Sequence, residues 1–529
     1  MKKIAKLISI MLAFIVVMSC AVLPASAAGE GNLTYTEYSS YAKLTKCLSG
    51  ARGVINIPST FNGLPVKVIG NGAFADCSLI TEVTIPSSVT TIEQNAFSSC
   101  TALKKVTFEG TTCNIGNAAF IYCSSLETIK LPSSLKAIPN EMFAYSTALT
   151  SVAIPSTVER IGKEAFKMCS SLTYVGIPAS VRVIEKNAFL GCSKVNEFYV
   201  ASGNSVYSSS DGCLYGPYES PYDTEIANPV TDKTFIQYPN AKTATSYTVA
   251  SGTLRIADYA FGDNKYLTKI VLPSGLKAID NFAFYNCSKL SDISVPETVT
   301  AIGSQAFGKT TALKSITVPG SVSSLESVFY ASGVETVVLK NGVKTIGTRC
   351  FEDCKNLKNV TIPSSVTKIG IGAFYNCSSL ESLLVPASVT SIGVSAFAGC
   401  NKLTLRVYAN SKALEYAQAN SIPYVIVDPT YTPTIGVSEI TVHTYPAKTN
   451  YYYKENVDTT GMVLLVVYED GTTGLVNKGF TVSPSKLSET GSVKVDVNYG
   501  GCSTYFNVEV SYAWWQWLIR ILLLGIFWY

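Results

Sequence analysis

Apolar and polar positions recur together every 22 or 23 residues along most of this chain. Phenylalanine keeps the register at Phe74, Phe97, Phe120, Phe143, Phe166 and Phe189, and again at Phe261, Phe284, Phe307, Phe329, Phe351, Phe374 and Phe397. These thirteen units share the pattern L-x-x-[VI]-x-[IV]-P-x-[ST]-[VL]-x-x-I-[GE]-x-x-A-F-x-x-C-[ST]-x-L, clear in LKNVTIPSSVTKIGIGAFYNC at 357–377 and LESLLVPASVTSIGVSAFAGC at 380–400. A fixed period of this size predicts a solenoid, because no single unit can bury its apolar side and each must cover its neighbour.

Within a unit, Leu-x-x-Val-x-Val alternates apolar and polar residues and is rich in β-branched types, which predicts a short strand. Proline ends it, having no N–H for a ladder. Val-x-x-Ile-Gly predicts a second short extended segment, with the glycine supplying a positive φ at the corner. Ala-Phe-x-x-Cys is expected to form a helical turn with Phe and Cys three apart on one inward face. Parallel strands about 4.8 Å apart would stack the units into a body about 60 Å long.

Cysteine follows the same register. Cys77, Cys100, Cys123, Cys169, Cys192, Cys287, Cys354, Cys377 and Cys400 lie three residues after the repeat phenylalanine, and Ser146, Asn264, Thr310 and Ser332 fill the other units. Replacement by small polar residues implies that size is what the position selects, and a buried free thiol suits it. Stacking in register does not by itself provide disulfide geometry, so these are expected to be reduced structural thiols. Cys350-x-x-x-Cys354 has no second pair at metal spacing.

The Ile-Pro-x-Ser-Val, Ile-Gly-x-x-Ala-Phe and Cys-x-x-Leu elements together resemble the BspA-like class of leucine-rich-repeat bacterial surface proteins, over roughly 55–405. VINIPSTFNGLPVKVIGNGAF looks like that family's N-terminal cap, and VYANSKALEYAQANSIPYVIV like its closing helix-and-strand cap. Two departures stand out. Residues 201–252 break the register with hairpin-like alternation around the turn signal Asp211-Gly212. An in-line hairpin module is the favoured reading; a protruding binding element, suggested by its tyrosines, is the alternative. The unit around Phe329 is short and lacks the proline, which predicts a local kink.

The ends differ in character. Residues 1–27 run from a basic MKKIAK through an apolar core to PASAA, the signature of a secretory signal peptide cleaved after Ala27. Residues 437–511 carry short β-rich runs separated by Asp470-Gly471, Ser483-Pro484 and Gly500-Gly501, as in an all-β sandwich. Their Tyr-x-Asp-Gly-Thr-Thr, Phe-Thr-Val-Ser-Pro and Gly-Gly-x-x-x-x-Phe-x-Val elements look like the bacterial Ig-like family, whose members usually act as spacers. The tail AWWQWLIRILLLGIFWY holds all four tryptophans around an apolar stretch. Its apolar part would make about 24 Å of helix, shorter than the roughly 30 Å of bilayer hydrocarbon. Arg520 also lies inside it. A membrane- or envelope-associating anchor at 513–529 is therefore expected, with docking to a protein partner as its rival.

The expected fold is a β-rich leucine-rich-repeat solenoid of 23-residue repeats, with parallel strands plus short helical turns, followed by an all-β Ig-like sandwich. Its parts are a signal peptide (1–27), an N-terminal cap with the first repeat (28–73), a first repeat block (74–200), a β-hairpin insertion (201–252), a second block (253–405), a C-terminal cap and linker (406–436), an Ig-like domain (437–511) and an aromatic, apolar tail (512–529).

Composition narrows function. The chain has 529 residues, 47% hydrophobic and only 15% charged, against about 25% charged on average. Its net charge of +4 includes Lys2, Lys3 and Lys6 of the leader. So weak a charge excludes a nucleic-acid backbone as partner. The single histidine, His443, lies in the Ig-like segment and argues against histidine catalysis and multi-histidine metal sites. The repeats hold no Gly-rich phosphate loop and no HExxH, and adjacent acids such as Glu352-Asp353 do not converge on one substrate. No enzyme, cofactor or metal is expected.

Binding remains. Alternate strand residues point the same way, so the polar positions of successive units form one face. It carries Glu82, Thr84, Lys105, Thr107, Thr128, Lys130, Tyr174, Glu197, Tyr199, Lys269, Val271, Asp292, Ser294, Asn359 and Thr361. The candidate ligand-binding residues are Tyr174, Tyr199, Glu197, Lys130 and Lys269, since exposed aromatics among mixed charges often anchor contacts. BspA-like relatives are linked with binding extracellular-matrix proteins and other cells. The resemblance therefore implies an exported adhesion or recognition protein for an extracellular protein or polysaccharide ligand, held at the cell surface. A structural or glycan-binding envelope component is the alternative, and a secreted hydrolase the weakest.

Overall fold

The computed structural model describes residues 32–218, 233–427, 437–468, 473–477 and 479–516. They fall into two compact units, Met1–Val427 and Asp428–Tyr529. The expected leader, the Asp470-Gly471 turn and the tail beyond Gln516 lie outside the described residues.

In the first unit each repeat is one coil of a parallel β-solenoid. The Leu-x-x-Val-x-Val segments pair in register, as in Glu82↔Lys105, Lys105↔Thr128 and Thr128↔Ser151. Short second strands stack alongside, Thr91–Ile92 on Asn114–Ile115 and Ala137–Ile138 on Arg160–Ile161. The Pro-x-[ST]-Val stretch between them is a turn: Val89 N–H donates to the Pro86 carbonyl at 3.1 Å, and Val158 to Pro155 at 3.0 Å. Its Ser or Thr tethers coils, with Thr157 Oγ1 donating to the Leu135 carbonyl (2.8 Å) and Ser388 Oγ to Val366 (2.8 Å).

The third side departs from expectation. Ala-Phe-x-x-Cys is not helical: the residues two before and two after the phenylalanine, such as Asn95 (φ 56°) and Ser99 (φ 59°), are left-handed. Their N–H groups look to the next coil instead of back along the chain. Asn95 donates to Asn117 O (3.0 Å), Phe97 to Ala119 O (2.8 Å) and Ser99 to Ile121 O (2.9 Å). A left-handed non-glycine residue is unfavourable by about 1–2 kcal/mol, and the inter-coil ladder holds it there. The consensus glycine is likewise not the positive-φ residue. Gly370 and Gly393 are glycine because of close approach: a Cβ would lie 2.5 Å from the Gly347 carbonyl carbon and 2.4 Å from the Ile371 nitrogen, respectively.

Phenylalanine and cysteine both point inward. The rings stack along the interior, with centroids 4.7 Å apart for Phe74–Phe97 and 5.1 Å for Phe97–Phe120. The insertion continues this core. Ser208–Ser210 and Cys213–Gly216 form a hairpin whose turn, Asp211 (φ 51°) and Gly212 (φ 73°), has the two left-handed residues that such a connection needs. Thr234–Gln237 pairs antiparallel with Cys213–Gly216 and parallel with Arg255–Ile256, so the module lies in line. Among its described residues, Tyr207, Tyr215, Tyr218, Tyr238 and Tyr247 are buried, so these tyrosines offer no exposed contact face. Phe198 packs edge-on against Phe189 on one side of the break, and Phe235 stacks on Phe261 at 4.6 Å on the other. Lys186 reaches across to the buried Asp258 at 2.8 Å.

The unit around Phe329 does not break the stack. Its ring lies 2° from parallel with Phe351 and 16° with Phe307, and Thr336–Leu339 pairs with both neighbouring strands. Beside this unit lies a surface groove of about 330 Å³ lined by Thr311, Ser332, Gly333, Lys355 and Asn356.

Both ends are capped. At the start, Leu33–Glu37 pairs antiparallel with Ala42–Cys47, which pairs parallel with Leu64–Ile69. At the finish, helix Lys412–Ala419 and strand Tyr424–Ile426 close the array. Tyr416 packs edge-on against Phe397 and its Oη accepts from the Ala396 N–H at 3.0 Å.

The second unit has two sheets, one of Val437–Thr444, Val463–Tyr468 and Thr473–Val476, the other of Asn450–Tyr452, Cys502–Ser511, Gly491–Tyr499 and Thr481–Ser483. Ile440, Leu464, Val466, Val495, Val497, Phe506 and Val508 form its core. His443 is exposed on the first strand.

Candidate recognition surface

The polar strand face exists, but it is divided. The insertion hairpin docks on Glu197–Val200 where a further coil would lie: Phe198 N–H donates to the Gly212 carbonyl (2.8 Å) and Val200 N–H to Ser209 Oγ (3.1 Å). One stretch of face therefore ends at Glu197–Val200, and another begins at Ser246–Thr248.

This separates the five candidate residues. Tyr174, Glu197 and Tyr199 come together on the paired strands Tyr174–Ile177 and Glu197–Val200, whose register sets Tyr174 beside Glu197 and Gly176 beside Tyr199. Both tyrosines are exposed, at 45% and 46%. Partial burial, the Glu197 carboxylate and Tyr199 push the Tyr174 phenol above the usual tyrosine range. Lys130 is exposed in the same column as Tyr199 but three coils away, counting 23 residues per coil. Lys269 lies beyond the insertion, paired with Asp292 at 2.7 Å. It is not part of the tyrosine cluster. Elsewhere on this face Lys105 faces Glu82 at 3.9 Å, and Glu335 is flanked by Lys314 and Lys358 at 3.1 and 2.9 Å.

Two neighbours of the cluster were not among the candidates. Gly176 sits under the Tyr174 ring: a Cβ there would be 3.2 Å from Tyr174 Cε1 and 3.5 Å from Oη. The turn Asp211-Gly212 packs beside Glu197, with a Gly212 Cβ 3.5 Å from Glu197 Cγ, and Lys242 Nζ bridges the Asp211 carboxylate (2.5 Å) and carbonyl (2.7 Å). A glycine inside a strand signals close approach of another group, and that was the available clue.

Among the described residues, no group of three or more His, Cys, Asp or Glu side chains is placed to hold a metal ion. Nor, among them, is any helix long and apolar enough to cross a membrane. The surface offers aromatic faces, one carboxylate and mixed-charge strand positions, which is contact chemistry.

Comparison with known proteins identifies both units by family. The family described as "BspA type Leucine rich repeat region" matches residues 67–196, 234–332 and 325–422. "Bacterial Ig-like domain (group 3)" matches 444–510. No curated protein sequence matches the chain. Among solved structures, a leucine-rich-repeat protein from Eubacterium ventriosum is 26% identical over 70% of this chain and 92% of its own, with a TM-score of 0.53. The pneumococcal vaccine antigen PcpA is 21% identical over 76% and 99%, with a TM-score of 0.54, a likeness of fold. A leucine-rich cell surface protein from Faecalibacterium prausnitzii is 26% identical over 75% and 97%, with a TM-score of 0.48.

Proposed function

The chain belongs to the BspA-type leucine-rich-repeat family, and on that premise we propose that it is a non-enzymatic recognition or adhesion protein working at the cell surface. The observation that supports this best is the pairing of two exposed tyrosines with Glu197 on an otherwise mixed-charge strand face. Large rigid aromatic contacts with low conformational entropy are what protein recognition uses most often. In this reading the leader at 1–27 exports the chain, the repeat array is the contact body, the Ig-like unit is a spacer and the tail at 513–529 holds the protein to the envelope.

The test is binding of the chain without its leader to a panel of extracellular-matrix proteins and polysaccharides, by surface plasmon resonance. Saturable binding to at least one member, weakened tenfold or more in Tyr174→Ala/Tyr199→Ala, is the expected result. Failure to bind any member would replace recognition with a structural role in the envelope.

A further inference from the structure

Tyr174 is unusual among the exposed aromatics in lying against a glycine of its own strand. A side chain on a strand normally stands up from the sheet. Here the residue two positions on, on the same face, is Gly176, and the ring reaches over it, with Cε1 3.2 Å from where a Cβ would sit. The phenol therefore leans along the strand, over Gly176. Parallel register then places Tyr199 beside Gly176 and Glu197 beside Tyr174. The two tyrosines thus sit on adjacent strands, which run about 4.8 Å apart, with the Glu197 carboxylate beside Tyr174. The insertion closes one end: its Asp211-Gly212 turn stands against Glu197, and Lys242 satisfies Asp211, leaving that wall neutral and rich in polar groups.

We propose that this platform binds neutral polysaccharide, stacking the C–H face of a pyranose ring on Tyr174 and Tyr199 while Glu197 and the hairpin turn accept its hydroxyls. This deepens the recognition reading and rests on it. Three features select the class. Both tyrosines stand on an open strand face, exposed at 45% and 46%, which suits stacking on a sugar ring, whereas protein hot spots insert side chains into desolvated pockets. The hydrogen-bonding groups, Glu197 and the hairpin turn, stand beside the tyrosines, where the hydroxyls of a stacked ring lie. Glu197 makes no ion pair among the described residues, so an acidic polysaccharide would meet an uncompensated like charge.

The experiment is isothermal titration of the chain without its leader against soluble dextran, β-1,3-glucan, xylan and chito-oligosaccharide, with hyaluronan as the acidic counterpart. At least one neutral polymer is expected to bind, and hyaluronan more weakly than that polymer. Tyr174→Ala and Tyr199→Ala should each weaken the binding about tenfold, as stacking losses of 1–3 kcal/mol per ring imply by analogy with bases on aromatic side chains. Gly176→Val is the sharper variant, because it lifts the ring while keeping both tyrosines; a loss of similar size is expected. Tyr122→Ala, an exposed tyrosine on another side of the coil, should leave binding unchanged. Unaltered melting curves separate these effects from misfolding. Binding unaffected by the three platform variants, or hyaluronan binding tighter than every neutral polymer, overturns the proposal. A chain that binds a matrix protein but no neutral polymer overturns it as well and leaves the recognition reading standing.

Discussion

At the position three residues after each phenylalanine, Cys123 Sγ donates to the Phe97 carbonyl at 3.2 Å, Cys169 to Phe143 at 3.1 Å and Cys377 to Phe351 at 3.1 Å. Ser146 makes the equivalent bond to Phe120 at 3.1 Å. In these units the residue is both small and a donor to the preceding coil. Thr310 instead donates to Phe307 O of its own coil (2.7 Å), and Asn264 Oδ1 accepts from the Tyr266 and Leu267 N–H groups. Size is therefore the requirement common to all, and the bond is an addition in most. That bond was hidden in the sequence because the acceptor belongs to the preceding coil, 26 residues away. Burial has a pH consequence. It raises the thiols of Cys113, Cys192, Cys213 and Cys354 from 9.0 to about 12. Between those values the unfolded chain loses these protons and the folded chain keeps them, so stability is complete below pH 9 and falls as pH rises toward 12. Each such thiol removes about 1.4 kcal/mol per pH unit in that window. Urea midpoints measured from pH 7 to 11 should hold steady to about pH 9 and then fall steeply; a flat profile to pH 11 would contradict this burial.

At the scale of the coil, the contacts along the stack are as tight as those across it. Gly370 lies against the Gly347–Thr348 backbone, with both atoms 2.5 Å from where a Cβ would sit. Gly370→Val should therefore cost about 3 kcal/mol through forced separation of two backbones, read as a lower urea midpoint. The same change at Gly275, which has open space around its Cβ position, should shift it by less than about 1 kcal/mol. The strands, the proline turn and the inward phenylalanine were all legible from alternation and period. The third side was not, since two inward residues three apart also describe a helix. What distinguishes them is where the N–H of Ser99 or Tyr122 goes, to Ile121 O and Ala144 O in the next coil, and no local pattern carries that. The insertion was legible as a hairpin, but the loss of period hid that Tyr207, Tyr215, Tyr218, Tyr238 and Tyr247 face inward, and with it that the Asp211-Gly212 turn packs beside Glu197.

Over the whole repeat unit, stability is a sum of coils and the contacts between them, so the ends matter disproportionately. Tyr416 closes the phenylalanine column at Phe397 and bonds the Ala396 N–H. Tyr416→Ala should leave the middle of the array intact and fray its last coils. Hydrogen exchange should then quicken in 380–407 while 80–200 keeps its protection; uniform loss would show that the array unfolds as one body. The in-line insertion and the unbroken stack at Phe329 carry a further consequence. Because a coil can be exchanged for a hairpin module, or shortened by a residue, without disturbing the column on either side, whole coils are interchangeable parts. Recombination between repeats in the gene would lengthen or trim the protein in steps of about 4.8 Å while both caps stayed unchanged. The array is in that sense a ruler whose length can evolve separately from what is written at any one of its marks.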